Sequence, residues 1–225
     1  PACGSGAFIV QCFRRLIERE LSTAGRLRLK PSELKKLLVD HIYGVDIDED
    51  ACGVTELSLV LTLLDYVDPP DLKEAGYQHF KLPVLRDKNI FFCKNGFFDD
   101  ESIQAEALSR IKFDWIVGNP PWKLLSEESK VSADQSALAW IKNNKKEYPV
   151  NKNQIAEAFV WKASLYLSNT GVTGFLLPGK TLFKTQENAI EFRKRFFNRM
   201  DVWCIVNFAN LRRLLFKRAT NPAVA

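Results

Sequence analysis

The chain has 225 residues, 46% of them hydrophobic and 26% charged, which is enough to bury the core of one large domain or two small ones. Its formal net charge of +5 is a mild basic excess that permits a nucleic-acid partner without demanding one. No apolar run reaches the length of a membrane span and no signal peptide is visible, so no membrane is expected as a partner. The 5 cysteines are scattered without a CxxC pair and read as a reduced, cytoplasmic protein, and 2 histidines among them make no standard zinc site, so no metal is expected.

In chain order, PACGSG (1–6) reads as a turn feeding a helix over 7–20, where Phe8, Val10, Cys12, Phe13, Leu16 and Ile17 carry the three-and-four spacing of a helix face. Residues 21–37, polar and basic around Pro31, predict a loop and a short helix. HIYGVDI (41–47) is a buried-strand candidate, 49–66 a leucine-rich helix, 67–88 a connection rich in proline and charge, and NIFFC (89–93) a strand. FDWIVG (113–118) predicts a strand that ends at NPPW (119–122). Residues 123–153 are polar, with a lysine cluster, and read as a long loop or inserted helix. A helix over 155–167, a strand VTGFLLP (172–178), a basic helix over 187–199 and a strand VWCIVNF (202–208) follow, and NPAVA (221–225) looks like the start of another strand. Alternation of this kind predicts an α/β fold with a mostly parallel sheet and helices on both faces. Such sheets bind ligands beyond the carboxyl ends of their strands, which is where the motifs below fall. A glycine turn into a helix needs a strand feeding it, so a first strand is expected before residue 1. The chain therefore reads as one domain over 1–225, truncated at both ends.

Gly4-Ser5-Gly6 before a helix suits close approach of main chain to a ligand, since glycine brings no Cβ. The dinucleotide fingerprint wants a third glycine where Ile9 stands and an acidic residue about 20 positions on, whereas Asp46 lies 40 positions after Gly6, which disfavours NAD or FAD. Asp46 ends a predicted strand, where a carboxylate can accept from ribose hydroxyls, and Ile47 can pack on an adenine face. Asp46, Asp48 and Asp50 have calcium-loop spacing, but Ala51 and Leu57 occupy the positions that need glycine and glutamate. Asp48 and Asp50 are better read as acidic residues in the first turn of a helix.

The sharpest signal is Asn119-Pro120-Pro121-Trp122. Two prolines fix φ and remove backbone donors, leaving carbonyl acceptors in a rigid turn. The Asn119 side-chain oxygen and the Pro120 carbonyl can each accept from one planar amino group, and Trp122 offers a flat face for a base. A plain Asn-Pro turn capped by a core tryptophan is the competing reading. GFLLPGKT (174–181) matches the P-loop pattern letter for letter, yet Phe175, Leu176 and Leu177 read as strand rather than as a phosphate cradle. The basic residues between Lys142 and Lys152, from Arg193 to Arg199 and from Arg212 to Arg218 read partly as solvated faces and partly as phosphate contacts.

Together PACGSGAF, IYGVDID, FDWIVGNPPW, the 154–183 helix and strand, and NLRRLLFKRATNPAVA resemble the adenine-specific amino-group DNA methyltransferases of restriction–modification and related phage-defence systems. The resemblance implies a Rossmann-like fold, S-adenosylmethionine as cofactor, and N6 of adenine in double-stranded DNA as the target, with the base flipped out of the duplex. It also implies a specificity or nuclease domain or subunit as a partner, and a bacterial or archaeal cytoplasm as the location. By resemblance, Ala2, Cys3, Gly4, Ser5 and Gly6 face the cofactor's methionine end, while Asp46, Ile47 and Asn95 hold its nucleoside. Asn119, Pro120, Pro121 and Trp122 bind the target adenine, which Phe216 flanks. The rivals are a methyltransferase of ribosomal RNA or of a protein glutamine amide, which shares an NPP-aromatic motif, and a catalytically inactive DNA-binding or scaffold subunit.

Overall fold

A computed structural model describes residues 1–74, 80–211, 214 and 223–224. It is an α/β structure that divides into two compact units, Cys3–Cys93 and Pro1–Ala2 with Lys94–Ala225.

In the Cys3–Cys93 unit, helix α1 (Ala7–Ala24) starts at Gly6 and stops at Gly25, both in the left-handed region. The Gly25 N–H bonds back to the last turn, as a left-handed glycine does at a helix end. The buried stripe of α1 is Ile9, Phe13 and Ile17, with Val10, Cys12 and Leu16 packed against the same core, so of the predicted face only Phe8 is exposed, and Ile9 takes its place. Helix α2 (Pro31–His41) takes Pro31 in its first turn, and the Glu33 carboxylate accepts from the Lys30 N–H (2.7 Å), the acidic half of a capping box. It runs to His41, which shortens the predicted strand to β1 (Gly44–Asp46). Asp48 caps helix α3 (Glu49–Asp65), accepting from Asp50 N (3.0 Å) and Ala51 N (3.1 Å), so it precedes the first turn predicted for it, while Asp50 lies in that turn. A short α4 (Pro69–Glu74) follows, and β2 (Ile90–Phe92) pairs parallel with β1 in the register Gly44↔Ile90, Val45↔Phe91, Asp46↔Phe92. The core joins Phe13 and Ile17 to Leu34, Leu38, Leu59, Leu63 and Ile90.

The other unit contains α5 (Ile103–Ser109), β3 (Phe113–Gly118), α6 (Ser132–Asn144), a 3₁₀ turn at Asn151–Asn153 and α7 (Ile155–Ser164). They are followed by β4 (Leu167–Phe175), β5 (Leu177–Pro178), α8 (Lys180–Phe183), α9 (Glu187–Arg199) and β6 (Ala223–Val224). β3 runs parallel to β4, with Ile116↔Thr173, Val117↔Gly174 and Gly118↔Phe175 in register. β5 pairs antiparallel with β6, so the NPAVA stretch does enter a strand. Residues 174–178 are extended, as strand rather than phosphate loop requires. Residues 155–163 of α7 are all buried, and Phe98, Trp140, Phe159, Trp161 and Phe192 pack into one aromatic core.

One predicted strand is absent. Residues 202–208 form an isolated bridge at Asn207 but no strand, and Trp203, Ile205 and Val206 are exposed. A run of β-branched and aromatic residues becomes a strand only with a ladder partner, and this one has no partner strand among the described residues. No helix of the described residues is long and apolar enough to cross a membrane.

Candidate active site

The site residues named from the sequence fall into two groups, one in each unit. In the first, Gly4 (φ +56) and Gly6 (φ +86) shape the turn that α1 continues. The Gly4 N–H donates to Asp46 Oδ2 at 2.7 Å, and the Cys3 N–H to the Val45 carbonyl at 3.0 Å, so the turn is sewn to the end of β1. Asp46 Oδ1 accepts from Asp48 N at 3.0 Å. A carboxylate has about four acceptor positions, so Asp46 keeps capacity for hydroxyl donors beside these two bonds.

The Thr55 hydroxyl of α3 donates to the Gly4 carbonyl at 2.7 Å. A Cβ built on Gly6 would lie 2.9 Å from Thr55 Oγ1, whereas one on Gly4 meets nothing within 4 Å. The Gly4 side of the turn is therefore open to a ligand and the Gly6 side is filled by Thr55. Sequence reasoning missed Thr55, since a threonine inside a leucine-rich helix carries no local signal of a contact 51 positions away. Ile47, next to Asp46, is 53% exposed and offers an apolar face. Burial, aided by Asp46, pushes the Cys3 thiol up to about 11, which keeps it protonated and unreactive at neutral pH. The open glycine turn, the Asp46 carboxylate and the exposed Ile47 fit a nucleoside-bearing cofactor, and the described residues hold no group of acidic, cysteine and histidine side chains able to bind a metal ion.

In the second group, residues 119–122 leave the carboxyl end of β3. Asn119 is exposed, Pro120 buried, and Pro121 and Trp122 half-buried. The Trp122 indole N–H donates to the Leu176 carbonyl at 3.2 Å, in the break between β4 and β5, and the Leu176 N–H donates to the Gly118 carbonyl at 3.0 Å. The turn is thus tied to the neighbouring strand at both ends. A Cβ on Gly118 would lie 3.0 Å from the Pro1 carbonyl, which places the first residues beside the root of this turn, with Ala2 (φ +53) packed on the aromatic core.

Asn95 is exposed and donates to Asp99 Oδ2 at 2.9 Å, while its neighbours Phe97 and Phe98 pack on Phe159. The loop they share is also held by Lys162, a 2% exposed lysine of α7 that pairs with Asp100 and lies 5.8 Å from the Trp140 ring. Phe216 lies outside the described residues.

Residues 40–214 match the family described as Eco57I restriction-modification methylase. The chain is 25% identical over 202 residues to the type II restriction enzyme and methyltransferase RM.Eco57I of Escherichia coli, covering 80% of this chain and 19% of that protein. It is 31% identical over 78 residues to RM.MjaORFECS2P of Methanocaldococcus jannaschii, covering 33% of this chain and 7% of that one. Among solved structures, a nuclease-deletion mutant of the Type ISP restriction-modification enzyme LlaGI in complex with a DNA substrate mimic superposes with a TM-score of 0.70 at 15% identity, over 100% of this chain and 20% of LlaGI. The ATP-dependent Type ISP enzyme LlaBIII bound to DNA gives 0.60 at 16% identity, over 86% of this chain and 13% of its own. The chain thus spans about a fifth or less of the length of these relatives.

Proposed function

The chain belongs to the Eco57I restriction-modification methylase family, and from that premise we propose that it is the catalytic core of an S-adenosylmethionine-dependent enzyme that methylates N6 of adenine in DNA. The observation that carries the reading is the Asn119-Pro120-Pro121-Trp122 turn at the carboxyl end of a parallel strand, tied by the Trp122 indole to Leu176. In this reading residues 1–225 belong to one catalytic domain with a Rossmann-like fold. A specificity or nuclease region of the same prokaryotic, cytoplasmic protein supplies sequence recognition. That LlaGI and LlaBIII are described with DNA supports the choice of polymer.

When bound, S-adenosylmethionine supplies an electrophilic methyl group on a sulfonium. Residues 2–6 would offer main chain to its methionine end, Asp46 would accept from its ribose, Ile47 would pack on its adenine, and Asn95 is the candidate partner of the adenine amine. The target base enters the second group of residues flipped out of the duplex. The Asn119 amide oxygen and the Pro120 carbonyl each accept one hydrogen of the adenine amine. Trp122 fixes the plane of the ring from one side and Phe216 flanks it. Two acceptors on one NH₂ draw its hydrogens into the pocket and leave the nitrogen lone pair free to form the new N–C bond as the S–C bond breaks. The surplus proton passes to water. No covalent enzyme intermediate is needed, and the rate gain comes from orientation and electrostatics.

The test is transfer of a labelled methyl group from S-adenosylmethionine by the full-length protein to unmethylated DNA, ribosomal RNA and a glutamine-containing peptide. The expected result is label on N6 of DNA adenine, abolished in Asn119→Ala with cofactor affinity within about threefold of wild type. Label in RNA or peptide would overturn the substrate, and parallel loss of cofactor binding would overturn the role of Asn119.

A further inference from the structure

The residues that leave the NPPW turn are not held by their own sequence. Leu125 N donates to the Asn153 carbonyl at 3.0 Å, Ile155 N to the Lys123 carbonyl at 3.3 Å, and Leu124 forms an antiparallel bridge with Gln154. Segment 123–125 is thus clamped to the Asn151–Asn153 turn. That turn contains two successive non-glycine residues in the left-handed region, Lys152 (φ 46) and Asn153 (φ 54). For Lys152 this costs roughly 1–2 kcal/mol, and less for Asn153, since asparagine enters that region more readily, so the surroundings must help to impose the shape.

Glu157 is in place to impose it. It is 1% exposed on α7, and its Oε2 accepts from the Asn151 N–H at 2.7 Å, at the first residue of the turn. Its other oxygen is buried without a hydrogen-bond partner among the described residues, as are the Asn151 Oδ1 and Gln154 Oε1 acceptors. Lys184, Lys180 and Arg193, from the end of α8, from α8 and from α9, are the cations that act on it. Burial outweighs them and pushes the carboxyl up to about 8.

We propose that Glu157 is a positioning residue for the candidate base-binding turn: it holds the left-handed Asn151–Asn153 turn, and through it the segment that leaves Trp122. The proposal rests on the reading of residues 119–122 as the base-binding turn, but its structural half stands apart from it. In the neutral form the carbonyl oxygen still accepts from Asn151. In the ionised form the bond from Asn151 is kept, but the charge on the carboxylate is buried with Oε1 lacking a hydrogen-bond partner among the described residues, so opening the turn to hydrate it becomes easier. Positioning should therefore weaken as pH rises from about 4.5 to about 8 and change little above that.

The experiment uses the full-length protein with Glu157→Gln, which keeps the acceptor and the volume without a charge, and Glu157→Leu, which removes the acceptor. Amide hydrogen exchange at Leu125 and Ile155, corrected for intrinsic rate, reads the clamp directly. The expected result is exchange at least tenfold faster in Glu157→Leu and within a few-fold of wild type in Glu157→Gln at pH 5. Wild type, but not Glu157→Gln, should lose protection between about pH 5 and about pH 8. Methyl transfer is measured in parallel: Glu157→Leu should lower kcat about tenfold with the KM for S-adenosylmethionine unchanged, and Glu157→Gln should restore it. Unchanged exchange in Glu157→Leu overturns the proposal. If that variant does not fold, the wild-type and Glu157→Gln exchange profiles decide it, and identical profiles overturn it. An inactive wild-type protein would count against the methyltransferase reading alone, and the exchange data would still decide the role of Glu157.

Discussion

Two glycines two positions apart carry different burdens, and the difference can be measured. Gly4 needs its positive φ but faces open space, so Gly4→Ala meets the backbone cost alone, about 1–2 kcal/mol. Gly6 needs a positive φ and also leaves room for Thr55, whose Oγ1 would be 2.9 Å and Cα 3.3 Å from a new Cβ. Gly6→Ala should therefore lose a further ~1–3 kcal/mol as α3 is pushed away. It should weaken cofactor binding more than Gly4→Ala does, because Thr55 also holds the Gly4 carbonyl. Thermal melts and cofactor titration of the two variants check the order, and equal losses would mean that Thr55 does not shape the turn. The glycines themselves were legible in the sequence because their conformational role is local. Thr55 and Glu157 were not, because their significance lies in what folding brings to them.

At the scale of elements, the NPPW turn was legible because strand, amide, prolines and aromatic are consecutive. What anchors it was not: Leu176 is 54 positions away, in the break between two strands whose sequence looks like a phosphate loop. The 113–118 strand was read with both ends correct, whereas 202–208 was misread. The apolar pattern is equally good in both, but only β3 has a partner among the described strands. The anchor makes a prediction that separates the two contributions of Trp122. Trp122→Phe keeps a flat face and loses the bond to the Leu176 carbonyl, worth about 0.5–1.5 kcal/mol, so methyl transfer should fall by roughly threefold to tenfold. Trp122→Ala loses the face as well and should fall much further. Comparable activities for the two variants would show that the face itself contributes nothing to the reaction.

At the scale of the whole molecule, the two most displaced carboxyls act at opposite ends of the pH range. Glu33, held by Arg26 and the Lys30 N–H, is pulled down to about 2 from 4.5. A depressed carboxyl contributes stability above its unfolded value that is lost as pH falls towards 2, and here solvent screening at an exposed pair keeps the effect small. Glu157 is raised from 4.5 to about 8 by burial. Between those values the folded state holds a proton that the unfolded state has released, so stability falls as pH rises from about 4.5 to about 8 and levels off above that. The prediction is a melting temperature that is highest on the acid side of neutrality and declines towards pH 8. Glu157→Gln carries no ionisable proton, so it should melt higher than wild type at pH 8 and show a flatter alkaline limb, measured by thermal unfolding from pH 4 to pH 9. A variant curve parallel to wild type throughout would mean that Glu157 is already ionised in the folded protein, with water or a cation reaching its second oxygen. The alkaline loss would then have to come from another group.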